Sequence, residues 1–255
     1  MTARHTNSVS AIVCNYNYGE FIHETLESLA RQTHRPDKLI IVDDGSDDIS
    51  RTVIDEFLAA RGDLFDHCHF IRNEANVGKL ACLNTALALV DTKYSIIVDS
   101  DDFLPGHAIQ SLLANLLNAR QTAPETGFVY SDSYLVNQEG DVISRGRSAD
   151  WSLKLLSTHS YIPECALTLS AALKDAAPFD ESIRVSTKHH KWMRIARAGW
   201  IGRYVAEPLF FYRMHDTNMS GIGRSVLDED DKSGRKDRLL SGYWRVAKSD
   251  EVMPG

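Results

Sequence analysis

The feature that most restricts how this chain folds is an alternation running from residue 9 to residue 132. Short apolar runs of strand length, VSAIVCN, KLIIVDD, HCHFIRN, YSIIVDS and GFVYSD, take turns with longer segments, FIHETLESLARQ, ISRTVIDEFLAAR, KLACLNTALALV and GHAIQSLLANLLNAR, whose apolar residues recur at helical spacing. Runs that are apolar without a break suit strands buried on both faces, and amphipathic helices supply the cover. The pattern therefore predicts βαβ units and an α/β fold with a largely parallel sheet.

After residue 132 the regularity fades. NQEG at 137–140 reads as a hairpin turn, TKHHKWMRIARAG as a short helix ended by Gly199, and WIGRYVAEPLFFYRMH as strand material interrupted at Pro208. Beyond Ser220 the stretch GIGRSVLDEDDKSGRKDR is polar and charge-mixed, which predicts a mobile tail. The final LLSGYWRVAK is expected to form one short helix on a partner or a membrane surface.

Composition removes several function classes. A net charge of -7 argues against a general nucleic-acid binder, because neutralising phosphates requires a basic surface. Cys14, Cys68, Cys82 and Cys165 are scattered singly with no zinc-ligand spacing, so they read as reduced core residues of a cytoplasmic protein. The opening MTARHTNSVS has no apolar signal core, and no apolar run reaches the length of a transmembrane span. Peripheral contact at the inner face of the membrane stays open.

The chemistry concentrates where two strands end in acid. YSIIVDSDDFLP runs from a buried strand into Asp99, Asp101 and Asp102, while IIVDDGS ends in Asp43 and Asp44. Crowded carboxylates repel, so they persist only where water, a helix N-terminus or a cation compensates them. In a doubly wound sheet both strand ends open onto one ligand crevice. If the chain stays extended, Asp99 and Asp101 point to one side and approach the same ion, with oxygen ligands suited to Mg2+ or Mn2+. The competing reading makes Asp101 or Asp102 a cap for the helix after Pro105.

At this point the chain resembles family 2 glycosyltransferases. VSAIVCNYNYGEFIHETLESLARQTHRPDKLIIVDDGSDD carries that family's Y-N, Q-T and V-D-D-G-S signatures in order, and NVGKLACLN and IIVDSDD are similar to its N-x-G segment and D-x-D metal motif. The resemblance implies a single glycosyltransferase A-type, Rossmann-like domain over 1–220, with a nucleotide-sugar half at 8–105, an acceptor half at 106–220 and the polar tail at 221–255. It implies that Tyr16 stacks on the donor base, that Asp44 binds the base or ribose with Asp43 beside it, and that Lys79 reaches a phosphate. Asp99 and Asp101 become ligands of Mn2+ or Mg2+. FDES at 179–182 and FFYRMHDTNMS at 210–220 also resemble the family, which makes His215 a third metal ligand or a diphosphate contact.

One departure stands out. Family members commonly carry E-D a few residues before W-x-R-x-A, the second acid being the base that deprotonates the acceptor; WMRIA here places Thr187 and Lys188 at those positions. His190, two residues further, titrates near neutrality and is the first candidate for the base, followed by Asp132 and Glu164.

The resemblance thus implies an inverting, metal-dependent transfer of sugar from a nucleotide diphosphate donor, UDP-sugar first with GDP and dTDP forms open. The acceptor would be a glycan, a lipid-linked molecule or a small molecule. Without a Q-x-x-R-W motif or membrane spans, one-sugar transfer is favoured over processive synthesis. The alternatives are a non-catalytic sugar-nucleotide binder, suggested by the replaced acid pair, and a sugar-1-phosphate nucleotidyltransferase, disfavoured because its G-x-G-T-R-L-like loop is absent.

Overall fold

The unbroken apolar runs become the inner strands of an eight-stranded sheet. In the computed structural model, which describes residues 6–215, 218 and 244–245, β1 (Val9–Asn15), β2 (Lys38–Asp43), β3 (His67–Arg72) and β4 (Tyr94–Ile97) pair in parallel in the order β3-β2-β1-β4. The crossovers are α1 (Ile22–Ala30), α2 (Ser50–Arg61) and α3 (Lys79–Leu89). Ile12, Val13 and residues 39–42 are wholly buried. At roughly 1.5–3 kcal/mol for each large aliphatic side chain, this burial favours these runs as interior strands. β3 takes the edge, with His67 and Arg72 exposed at its ends, which suits a strand with one open side.

After β4 the helix α4 (Ala108–Thr122) leads to the long β5 (Thr126–Val136). Between β4 and β5 lies β8 (Leu167–Leu169), antiparallel to both. β9 (Ile201–Arg213) runs parallel to β5, whereas β6 (Val142–Gly146) pairs antiparallel with its C-terminal half. The sheet is therefore mixed: its first four strands are parallel and crossed over by helices as the alternation predicts, and the antiparallel β6 and β8 come from the less regular second half. The helix α7 (Thr187–Arg197) brings Trp192 against Phe128 of β5, with ring centroids 4.5 Å apart.

The structure alters four local expectations. β4 stops at Ile97, and residues 99–102 form a turn closed by Asp102 N–H to the Asp99 carbonyl (3.1 Å), so the acids do not continue an extended strand. β9 passes through Pro208 without interruption; the proline faces Asp132 where the register shifts, so its missing N–H falls at an irregularity of the ladder. The short elements β6, α5 (Leu153–Leu156), β7 (His159–Ser160), β8 and α6 (Ser170–Ala176) are absent from the sequence reading because two to seven residues carry little periodicity. Finally, Trp244–Arg245 is extended and pairs with β7 as β10, in place of the expected terminal helix. The rest of the expected tail lies outside the described residues.

The hairpin turn stands as expected, with Gly140 N–H bonded to the Asn137 carbonyl (3.1 Å). All four cysteines are free. Among the described residues no helix is long and apolar enough to cross a membrane. The order β3-β2-β1-β4 reverses between β1 and β4, so the C-terminal ends of these strands frame the crevice in which such sheets bind ligands.

Candidate active site

The first two strands present one wall of this crevice. Asp44 N–H donates to the Asn15 carbonyl (2.8 Å), so Tyr16 and Asp44 leave the sheet side by side. The Tyr16 ring is 44% exposed and available for stacking. Asp43 is completely buried and accepts from Ser46, Arg51 Nε (2.7 Å) and Asn15 Nδ2 (3.0 Å). Burial alone would raise its carboxyl, but these donors hold it below the usual carboxylate range. Asp43 thus organises the turn from inside.

Asp44 reaches across to residues 73–78. Its Oδ1 accepts from Asn73 Nδ2 (3.0 Å) and Val77 N–H (2.8 Å), and its Oδ2 from Gly78 N–H (2.7 Å). Gly45 makes this closeness possible: its φ is +79°, and a Cβ there would stand 2.6 Å from the Ala75 carbonyl carbon.

The second wall is the turn after β4. Asp99, Asp101 and Asp102 each bring a carboxylate oxygen within 4.8 Å of the others. Burial, aided by the neighbouring acids, pushes the Asp102 carboxyl well above its ordinary range and raises Asp99 as well, even with Lys79 beside it. Hard oxygen donors that resist ionising together are the donor set a divalent cation suits, so these residues fit Mn2+ or Mg2+.

The turn is fixed from two sides. Thr25 of α1 directs its hydroxyl at the carbonyls of Ser100 and Asp102 (3.0 and 2.7 Å). From the end of β9, Arg213 N–H donates to Asp102 Oδ1 and its Nε to the Asp101 carbonyl, both at 3.0 Å, while its Nη atoms bind the Gln138 carbonyl and Glu24. His215 Nε2 lies 3.0 Å from Asp101 Oδ2, and Asn218 Nδ2 lies 3.3 Å from the same oxygen. The residues expected to hold a metal, Asp99, Asp101 and His215, thus come from two distant segments to one place.

Behind the turn runs a buried chain of charges. Lys79 Nζ pairs with Asp99 and lies 3.9 Å from Glu164 Oε2; Glu164 Oε1 is 2.7 Å from Lys191 Nζ. Burial would raise Glu164, but Lys191 and Lys79 pull it down to about 2, so it is ionised at neutral pH. Conversely, burial would lower Lys79, yet Asp99 and Glu164 hold it well above the usual lysine range. Glu164 Oε2 has no hydrogen-bond partner among the described residues. That oxygen is buried and faces the Lys79 ammonium.

The other two base candidates face elsewhere. Asp132 accepts twice from Arg145 (2.7 and 3.2 Å), from Ser148 N–H (2.8 Å) and from the Tyr204 hydroxyl (2.6 Å), which occupies both of its oxygens. His190 is buried, its Nε2 facing Asp180 N–H at 3.4 Å and its ring edge-on to Phe179 at 6.3 Å.

Comparison with known proteins agrees with this geometry. The model of glycosyl transferase family 2 matches residues 10–176, more than half of the chain. The chain belongs to glycosyl transferase family 2. It is 25% identical over 245 residues to an uncharacterized glycosyltransferase of Haemophilus influenzae, covering 91% of this chain and 73% of that one. It is 37% identical over 112 residues to the teichoic acid poly(glycerol phosphate) polymerase of Staphylococcus epidermidis, covering 44% of this chain but 15% of the polymerase.

Among solved structures, S. aureus TarS 1-349 in complex with UDP-GlcNAc superposes with a TM-score of 0.66 at 18% identity, covering 91% of this chain and 70% of TarS 1-349. The mannosyltransferase PcManGT from Pyrobaculum calidifontis, in complex with GDP-Man and Mn2+, gives 0.63 at 18% identity, covering 85% and 60%. These likenesses establish the fold.

For a family 2 glycosyltransferase, the residues missing from the sequence reading are instructive. Asp102 is visible in the acidic run, but the sequence gives it no site role beside the competing reading of a cap for the helix after Pro105. Arg213 and Asn218 flank His215 in FYRMHDTNMS, and the buried position of an arginine there carries no signature in the sequence. Lys191 hides inside a helix whose buried face only the packing of Trp192 reveals.

Proposed function

We propose that this family 2 glycosyltransferase moves one sugar from a nucleotide diphosphate donor, UDP-sugar first, to an acceptor hydroxyl with inversion, in a reaction that requires Mn2+ or Mg2+. The observation that carries the reading is the cluster of Asp99, Asp101 and Asp102 after β4, with His215 3.0 Å from Asp101. The UDP-GlcNAc complex of TarS and the GDP-Man and Mn2+ complex of PcManGT support the donor class and the ion.

In this proposal Tyr16 stacks on the base and Asp44 accepts from the base or ribose. Asp99, Asp101 and His215 hold the cation, with Asp102 beside them; the cation's chemistry is to neutralise charge on the departing diphosphate. Lys79 pairs with Asp99, holds it in place and offsets part of the charge there. Glu164, ionised and with one oxygen anchored by Lys191, is assigned the acceptor proton as the glycosidic bond forms. It occupies the role that relatives give to an acid on α7, now supplied from the loop before β8.

The test is UDP binding by calorimetry with Mn2+ and with EDTA, for the wild type and Asp101→Asn. Mn2+ should tighten wild-type binding at least about tenfold and leave the variant almost unaffected. Equal affinity in Mn2+ and EDTA for the wild type would remove the metal from the proposal.

A further inference from the structure

Arg184 lies on residues 180–186, the segment between the FDES turn and α7, and it is exposed. Its guanidinium nevertheless rests on the opposite half of the molecule. A Cβ built at Gly78 would meet Arg184 Nη1 at 1.8 Å and Cζ at 2.8 Å, so the planar head covers the glycine directly. Gly78 has φ +97°, a conformation that favours glycine, and the missing side chain is what lets the guanidinium approach.

Gly78 is the hinge point between the two walls of the crevice. Its N–H binds Asp44, on the nucleoside wall, and the next residue, Lys79, pairs with Asp99 on the metal wall. A nucleoside diphosphate that touches both walls passes this point with its phosphates. The cations deeper in the site are engaged: Lys79 with Asp99, and Lys191 with Glu164. Arg184 differs from them, since among the described residues no carboxylate lies within ion-pair reach of it. An arginine fork matches phosphate oxygens in bidentate geometry, which a lysine point charge does not.

We propose that Arg184 binds the diphosphate of the donor, reaching across from the second half of the chain at Gly78. The inference rests on the donor reading above and adds to it a phosphate ligand outside the family motifs. In this arrangement the segment 180–186 supplies the outer wall of the phosphate site, and it joins donor binding to the helix that begins at Thr187.

The test is calorimetric titration in Mn2+ with UDP, GDP and dTDP, followed by the tightest of these and its bare nucleoside against the wild type, Arg184→Ala and Arg184→Lys. Arg184→Ala should weaken the diphosphate about 10- to 100-fold and leave the nucleoside within about twofold, with Arg184→Lys recovering part of the loss. An unchanged diphosphate affinity in Arg184→Ala overturns the proposal. So does an equal loss for diphosphate and nucleoside, which would assign Arg184 to packing of the 73–78 segment. If the wild type binds none of the three diphosphates, the donor reading itself fails; wild-type binding that ignores Arg184 removes only the present inference.

Discussion

Lys191 Nζ stands 2.7 Å from Glu164 Oε1, and both side chains are almost completely buried, at 1% and 3% exposure. On α7, Lys188 and Lys191 are three residues apart and share a face, and Lys191 meets Glu164. His190 precedes Lys191 by one position and is turned about 100° away. In the pair of Lys191 and Glu164 the helix brings the cation, and the loop before β8 brings the carboxylate.

Glu164→Gln is therefore expected to reduce turnover by about a hundredfold or more while UDP affinity stays within about twofold, because a base acts on the acceptor. His190→Ala should cost far less turnover. Steady-state rates and UDP titrations for both variants decide the matter, and a larger effect from His190 would return the role of base to it.

The same pair sets an acid limit on stability. Glu164 has its carboxyl depressed from 4.5 to about 2 in the folded protein, and Asp43 is depressed as well. A depressed carboxylate contributes stability above its unfolded pKa and loses it as pH falls through the folded value. Urea midpoints should accordingly fall between about pH 4.5 and pH 2. Glu164→Gln should flatten part of that fall; an identical pH profile for the variant would contradict the buried pair.

Arg213 is 2% exposed and ties the 99–102 turn to β9, α1 and the 137–140 hairpin. Arg213→Ala leaves the Asp101 and Gln138 carbonyls without this donor and should cost about 2–4 kcal/mol. The thermal midpoint would drop by about 5–10 °C, and the Mn2+ dependence of UDP binding would weaken with the turn. Arg213→Lys keeps the charge without the fork and should recover less than half. A variant as stable as the wild type would show that the turn holds itself.

Tyr16→Ala should weaken UDP and UDP-sugar alike, by about tenfold, the size of one lost base-aromatic stack. Parallel titrations give the comparison. A loss confined to the intact sugar nucleotide would place Tyr16 at the sugar.

Much of this architecture follows from the sequence alone. The runs VSAIVCN, KLIIVDD and HCHFIRN become β1, β2 and β3 within one residue at each end, because interior parallel strands such as β1 and β2 are apolar throughout and the crossover helices between them amphipathic. The acidic strand ends were legible for the same reason: charge directly after a buried run has to meet solvent, a ligand or, as Asp43 does, donors of the protein itself. Helix phase and long-range packing were not legible. The sequence offset made His190 the first candidate for the base, while burial of Trp192 against Phe128 fixes the rotation of α7 and buries Lys191 as well as His190. Glu164 meets Lys79 and Lys191 only because β8 enters the sheet beside β4, a placement of three residues that no local periodicity announces. Local pattern determined which segments are strands and helices, since it reflects burial of each segment's own faces; tertiary structure decided which charges meet, since that depends on packing between segments far apart in the chain.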